Sequence, residues 1–143
     1  MSIRTRRAIP AVVMSAAIAG GLFATPAYAE GNRTTYVTAW QIQNESSRWT
    51  DNQVDSKNTT VTFKNCDVEE DRGSSRRDAH ISLRRDVFGP DDHYGQRANP
   101  CGGGSSWSVP RGDKGDFYFT LDRINGKRVL GIYLSAKPVY INW

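Results

Sequence analysis

Asp91-Asp92-His93-Tyr94 is the densest run of proton-moving side chains in this chain. A histidine beside carboxylates can act as a general base or bind a metal. Nothing else completes such a centre: there is no GxSxG, no HExxH, and no nucleophilic cysteine once the only pair is oxidised. Gly89-Pro90 precedes the run, and polar loops after such a turn produce these residues by default. The expectation is therefore no catalytic set. A small secreted hydrolase or toxin using Asp91, Asp92 and His93 is the alternative.

A second acidic run, Asp67 to Asp78, loosely suggests a calcium loop. Asp67, Glu69, Asp71 and Asp78 stand at positions 1, 3, 5 and 12 of a 12-residue frame. The glycine such a loop needs at its sixth position is Arg72 here, and Arg72, Arg76 and Arg77 compete for the carboxylates. The reading is a solvated turn with local ion pairs, and no metal or cofactor is expected.

The candidate binding residues come from a hairpin. Asn125-Gly126 is a strong type I′ turn signal because both residues tolerate positive φ. Pairing across it sets Leu121 opposite Leu130, Phe119 opposite Ile132 and Phe117 opposite Leu134, three apolar pairs on one face. The other face would then carry Tyr118 opposite Tyr133, Thr120 opposite Gly131, and Tyr140 extending the row from a final strand over Val139–Asn142. Aromatic faces of this kind can stack on sugars or anchor a protein. Arg123 opposite Arg128 at the tip, with Lys127 beside them, could meet an anionic surface polymer. Arg111-Gly112-Asp113 reads first as a turn, and Asn32, Asn44 and Asn58 head sequons relevant only in a glycosylating host.

These residues need elements to hold them. Residues 1–29 have a basic start, an apolar run Ala8–Phe23 and an Ala27-Tyr28-Ala29 ending, the pattern of a secretory signal peptide cut before Glu30. The domain is then 30–143. It carries 16 Lys+Arg against 15 Asp+Glu, a charge of about +1, which argues against a nucleic-acid binder. No second apolar stretch predicts a membrane span after cleavage.

Cys66 and Cys101 lie downstream of the leader, so an oxidising compartment would join them. Leu, Ile, Val and Phe make up only 21 residues of the domain, so its core is thin and dependent on that bridge. Valine and isoleucine outnumber leucine 13 to 4, favouring sheet. Period-two alternation places Tyr36, Trp40 and Ile42 on one face of 34–43, with Val37 and Ala39 on the other. It pairs Val61 with Phe63, and sets Ala79, Ile81 and Leu83 inward with His80, Ser82 and Arg84 outward. Residues 44–58 and 87–106 read as long polar loops.

The resulting expectation is an all-β fold, a small antiparallel sandwich or barrel of six to eight strands with one disulfide. Its expected role is a secreted, monomeric, non-enzymatic domain that binds a cell-surface glycan, a surface protein or a target enzyme. A structural cell-surface protein is a further alternative.

Overall fold

A computed structural model describes residues 31–143; the leader expected over 1–29 lies outside the described residues. Nine strands run in chain order: β1 Asn32–Trp40, β2 Trp49–Asp51, β3 Thr59–Phe63, β4 Asp67–Glu69, β5 Asp78–Asp86, β6 Asp92–Pro100, β7 Ser105–Trp107, β8 Gly115–Ile124 and β9 Tyr133–Asn142. The described residues contain no helix, and every strand pair is antiparallel. Strands β1-β9-β3-β7 form one sheet, with β4 also on β9; β2-β8-β5-β6 form the other. The total exceeds the expected six to eight because both stretches read as loops contain ladders. Residues 87–106 hold the nine-residue β6, whose sparse apolar residues gave no alternation to read; it is an edge strand held by its backbone to β5. Residues 43–51 run along β8, first through Gln43 N–H to Leu121 O (2.7 Å) and Ser46 N–H to Phe119 O (2.9 Å), then as β2.

One core lies between the two sheets. Ala79, Ile81 and Leu83 are buried, as their alternation predicts. Phe63 from β3 and Phe119 from β8 meet across the gap, their rings 5.8 Å apart, and Trp40 comes within 5.7 Å of the Phe119 ring. In β1 Tyr36 and Val37 face opposite ways, as the alternation predicts: Val37 is buried and Tyr36 is 63% exposed. Trp40 still reaches the core because the β1–β9 register shifts between Val37 and Trp40, where Ala39 takes φ 49°. Two residues three apart then point inward, which strict alternation forbids.

The hairpin expectation is half met. The turn forms, with φ 49° at Asn125 and 79° at Gly126, and Ile124 and Lys127 exchange backbone hydrogen bonds of 3.0 and 2.8 Å. The ladder stops there. β8 pairs with β2 and β5, while β9 joins β1, β3 and β4 in the other sheet. Leu121, Phe119 and Phe117 therefore do not pair with Leu130, Ile132 and Leu134. Apolar alternation specifies which face is buried, and it is equally satisfied when Phe119 and Leu134 enter one core from opposite sheets. The turn is also drawn aside: Asn125 N–H donates to Asp78 O (2.8 Å), and Asp78 N–H donates to Asn125 Oδ1 (3.0 Å).

The same turn explains the acidic run. Asp71, with 2% of its side chain exposed, accepts a 2.6 Å hydrogen bond from Asn125 Nδ2 and pairs with Lys127. Asp67 lies 3.8 Å from Arg77, and Asp78 2.6 Å from Arg76. The Asn125 hydrogen bond, then Lys127, holds the Asp71 carboxyl below its ordinary 3.8. A depressed folded-state value stabilises fully above about pH 4, and that contribution disappears as pH falls through the folded value. Asp71→Asn is expected to flatten this acid limb. Melting curves between about pH 2 and pH 5 check it; a variant limb as steep as the parent's would contradict it.

Cys66, just before β4, and Cys101, just after β6, form the disulfide, with Cα atoms 5.9 Å apart. It links the end of one sheet to the end of the other.

Candidate binding cleft

The outward residues of β8 and β5 come together because the two strands are neighbours. Arg84 stands opposite Tyr118, and Ser82 opposite Thr120. Segment 43–48 adds a wall along β8, where Glu45 bridges to Thr120. After the Asn125-Gly126 turn the chain brings Arg128 to the same place. The result is an open cleft of about 350 Å³ on the outer face of the four-stranded sheet, lined by Gln43, Glu45, Arg84, Tyr118, Thr120, Asp122 and Arg128.

Most of its polar groups are engaged internally. Asp122 accepts hydrogen bonds from the Ser82 hydroxyl, from Gln96 Nε2 at 2.8 Å and from Thr120 Oγ1 at 3.0 Å. Glu45 pairs with Arg48 at 3.0 Å, and Arg48 also reaches Asp86 at 3.2 Å. The Arg48 guanidinium lies 4.1 Å from the centre of the Tyr118 ring, a cation–π contact that covers this ring. The Tyr118 hydroxyl donates to Asp91. Burial first, and this hydrogen bond second, push the Tyr118 phenol up to about 12. Reciprocally, the Tyr118 hydroxyl holds the Asp91 carboxyl below the ordinary carboxylate value, helped by Val87 N–H and the Arg48 and Arg84 charges, against the opposing effect of burial.

Two cations differ. Arg84 and Arg128 line the cleft with no ion pair within 4.0 Å among the described residues. The Arg84 Nε is buried and has no hydrogen-bond partner among the described residues. Leaving a buried donor unmatched costs on the order of 1–3 kcal/mol, so the arrangement calls for a reason.

The expected aromatic row is not assembled. Tyr118 is buried as a cleft wall under Arg48; Tyr133 lies in the other sheet opposite Glu69; Tyr140 lies on that sheet too, opposite Thr34 and Thr62. Tyr118 therefore faces Arg84 and not Tyr133, and Thr120 faces Ser82 and not Gly131. Arg123 and Arg128 are not cross-strand partners either. Arg123 sits opposite His80 and donates to Gly126 O at 3.3 Å. Of the five candidates, the structure brings Tyr118 and Arg128 together and leaves Tyr133, Tyr140 and Arg123 elsewhere. Sequence reasoning missed Glu45, Arg84 and Asp122 as a group. The outward position of Arg84 was readable from alternation, but its neighbours depended on strand order.

The acid–base run does not converge on one point. Asp91 turns to Tyr118, Asp92 to Arg85, and His93 is exposed. Tyr94 donates to Asp113 at 2.9 Å; burial, then this acceptor, raises its pKa. Asp113, the last residue of the Arg-Gly-Asp turn, also lies 3.4 Å from Arg85. Among the described residues, no three His, Cys, Asp or Glu side chains cluster as metal ligands, and no helix is long and apolar enough to cross a membrane. No protein-family model, no curated protein and no solved structure matches this chain.

Proposed function

We propose that the protein is an exported, non-enzymatic binding domain whose ligand site is the cleft between Arg84 and Arg128. The observation that carries this reading is a pair of guanidinium groups without ion pairs among the described residues, in a concave site whose other charged groups are engaged. Concave sites with a few convergent polar groups are the usual form of a ligand pocket. The disulfide is compatible with an oxidising, extracellular setting. Such a domain meets cell-surface glycans, surface proteins or secreted enzymes.

The test is a capture screen of the oxidised protein against extracellular polysaccharides and proteins, run beside the double variant Arg84→Met, Arg128→Gln. Both side chains are at the surface or half-buried, and methionine keeps most of the Arg84 stem, so the melting temperature should stay within a few degrees. Capture by the parent, weakened at least about tenfold in the variant, is the expected result. Equal capture by the two proteins would remove the cleft from the account.

A further inference from the structure

The hydrogen-bonding capacity still open in the cleft is one-sided. Glu45 is held by Arg48, and Asp122 already accepts from Ser82, Gln96 and Thr120. The Tyr118 hydroxyl goes to Asp91, and the Thr120 hydroxyl to Asp122. What remains is the side chains of Gln43, Arg84 and Arg128, none of which hydrogen-bonds to a described residue. A guanidinium only donates, and an amide donates from its nitrogen and accepts at one oxygen. The open groups are therefore mostly donors, and such a wall calls for a ligand rich in acceptors.

The charge is one-sided too, but small. With Glu45 answered by Arg48, the lining sets Arg84 and Arg128 against Asp122, two cations against one anion. Asp86, which shares Arg48, and Asp91, which accepts from Tyr118, add carboxylates around it. A doubly charged tetrahedral anion meets their repulsion with both charges, while a single carboxylate meets it with one. Guanidinium groups also bind planar carboxylates through parallel N–H donors.

The rest of the lining limits what carries that carboxylate. Among the described residues no aliphatic side chain lines the cleft, and its one aromatic ring lies under Arg48. The centre of a protein–protein interface is depleted of charge and built on apolar and aromatic anchors, so the cleft suits a protein loop poorly. Its volume, about 350 Å³, is more than a lone carboxylate fills and lies at the small end of ligand pockets. A sugar acid supplies both parts, one carboxylate and a ring whose hydroxyl oxygens accept from an amide. We infer, resting on the binding role proposed above, that the cleft takes a uronic-acid unit of an acidic polysaccharide, its carboxylate between Arg84 and Arg128 and its ring hydroxyls toward Gln43.

The test is an NMR titration of the ¹⁵N-labelled, oxidised protein with methyl glycosides in matched pairs, glucuronide against glucoside and galacturonide against galactoside. Each pair differs only at C6, a carboxylate or a hydroxymethyl group. Inorganic sulfate and the N-acetyl methylamide of aspartate complete the set. At least one uronide should shift the Thr120 and Asp122 amides and the Arg84 Nε–H saturably, and bind about tenfold or more tightly than its neutral counterpart. Its affinity should fall several-fold between roughly 0.05 and 0.5 M salt, as ions screen the charge. Arg84→Met and Arg128→Gln should each weaken it by about tenfold, with amide signals away from the cleft unmoved. Arg128 is exposed, so its variant keeps the packing intact and reads binding alone. A neutral glycoside bound as tightly as its uronide would overturn the inference while leaving the cleft as a binding site. Sulfate or the aspartate derivative bound more tightly than either uronide would do the same. Absence of cleft shifts with every probe would also overturn it; the capture screen would then decide the broader reading on its own.

Discussion

Reduction of the Cys66–Cys101 disulfide is expected to lower the melting temperature by roughly 15 °C. The bridge closes a 35-residue separation, for which loop-closure entropy in the unfolded chain gives about 4 kcal/mol. For a domain of this length, that energy divided by the unfolding entropy gives the shift. Location adds to the expectation. Around the bridge, Gly102 N–H donates to Phe63 O at 2.8 Å, Lys64 Nζ donates to Gly102 O at 2.7 Å, and Cys101 N–H donates to Arg77 O at 3.2 Å. The crosslink therefore sits where the chain after β6 touches β3 and the approach to β5. The double variant Cys66→Ala, Cys101→Ala should match the reduced protein. Calorimetric scans with and without reductant measure the effect, and an unchanged midpoint would show that the thin core stands without its staple.

Phe119→Ala is expected to cost about 3–5 kcal/mol, a large share of the stability of a small domain. The side chain is wholly buried, with Phe63 and Trp40 against it. Truncation leaves a void bounded by both sheets, and little can collapse into it without moving a strand. Phe88→Ala provides the contrast. The same chemical change at a fully exposed ring should stay within about 0.5 kcal/mol. Urea midpoints at constant m-value separate the two. A Phe119→Ala cost below about 1 kcal/mol would mean that the sheets do not meet at this ring.

The disulfide and the core also show how much of the fold the amino-acid sequence carries by itself. The cysteine pair was legible from its number and from the leader expected ahead of it, and strand content from valine, isoleucine and alternation. Ala79, Ile81 and Leu83 were placed inward correctly because a strand half-buried in a core writes its period directly into sequence. The partner of β8 was not legible. Phe117, Phe119 and Leu121 share a parity with Leu134 whether the strands lie side by side or face each other, and the Asn125-Gly126 turn fits both. What separates the cases is the tether from Asn125 to Asp71 and Asp78, a contact of polar residues far apart in the chain. Strand β6 was missed for a related reason: Gln96, Arg97 and Ala98 are exposed on an edge strand, so their order carries no hydrophobic signal. The cleft inherits both gaps. Arg84, Tyr118 and Asp122 were each visible as polar or aromatic residues, but their meeting depends on β5 lying beside β8.

That adjacency also determines which surface a ligand could meet. With β8 beside β5, the face of the four-stranded sheet is a polar cleft bordered by Arg84 and Arg128. With β8 beside β9, it would be a row of tyrosines. The difference changes the chemistry of recognition from stacking on a broad aromatic strip to hydrogen bonding in a concavity.

Cross-strand nuclear Overhauser contacts in the oxidised protein test this most directly. The arrangement described here predicts backbone contacts between Ser82 and Thr120 and between Arg84 and Tyr118. Backbone contacts between Tyr118 and Tyr133, and between Thr120 and Gly131, would contradict it and dissolve the cleft.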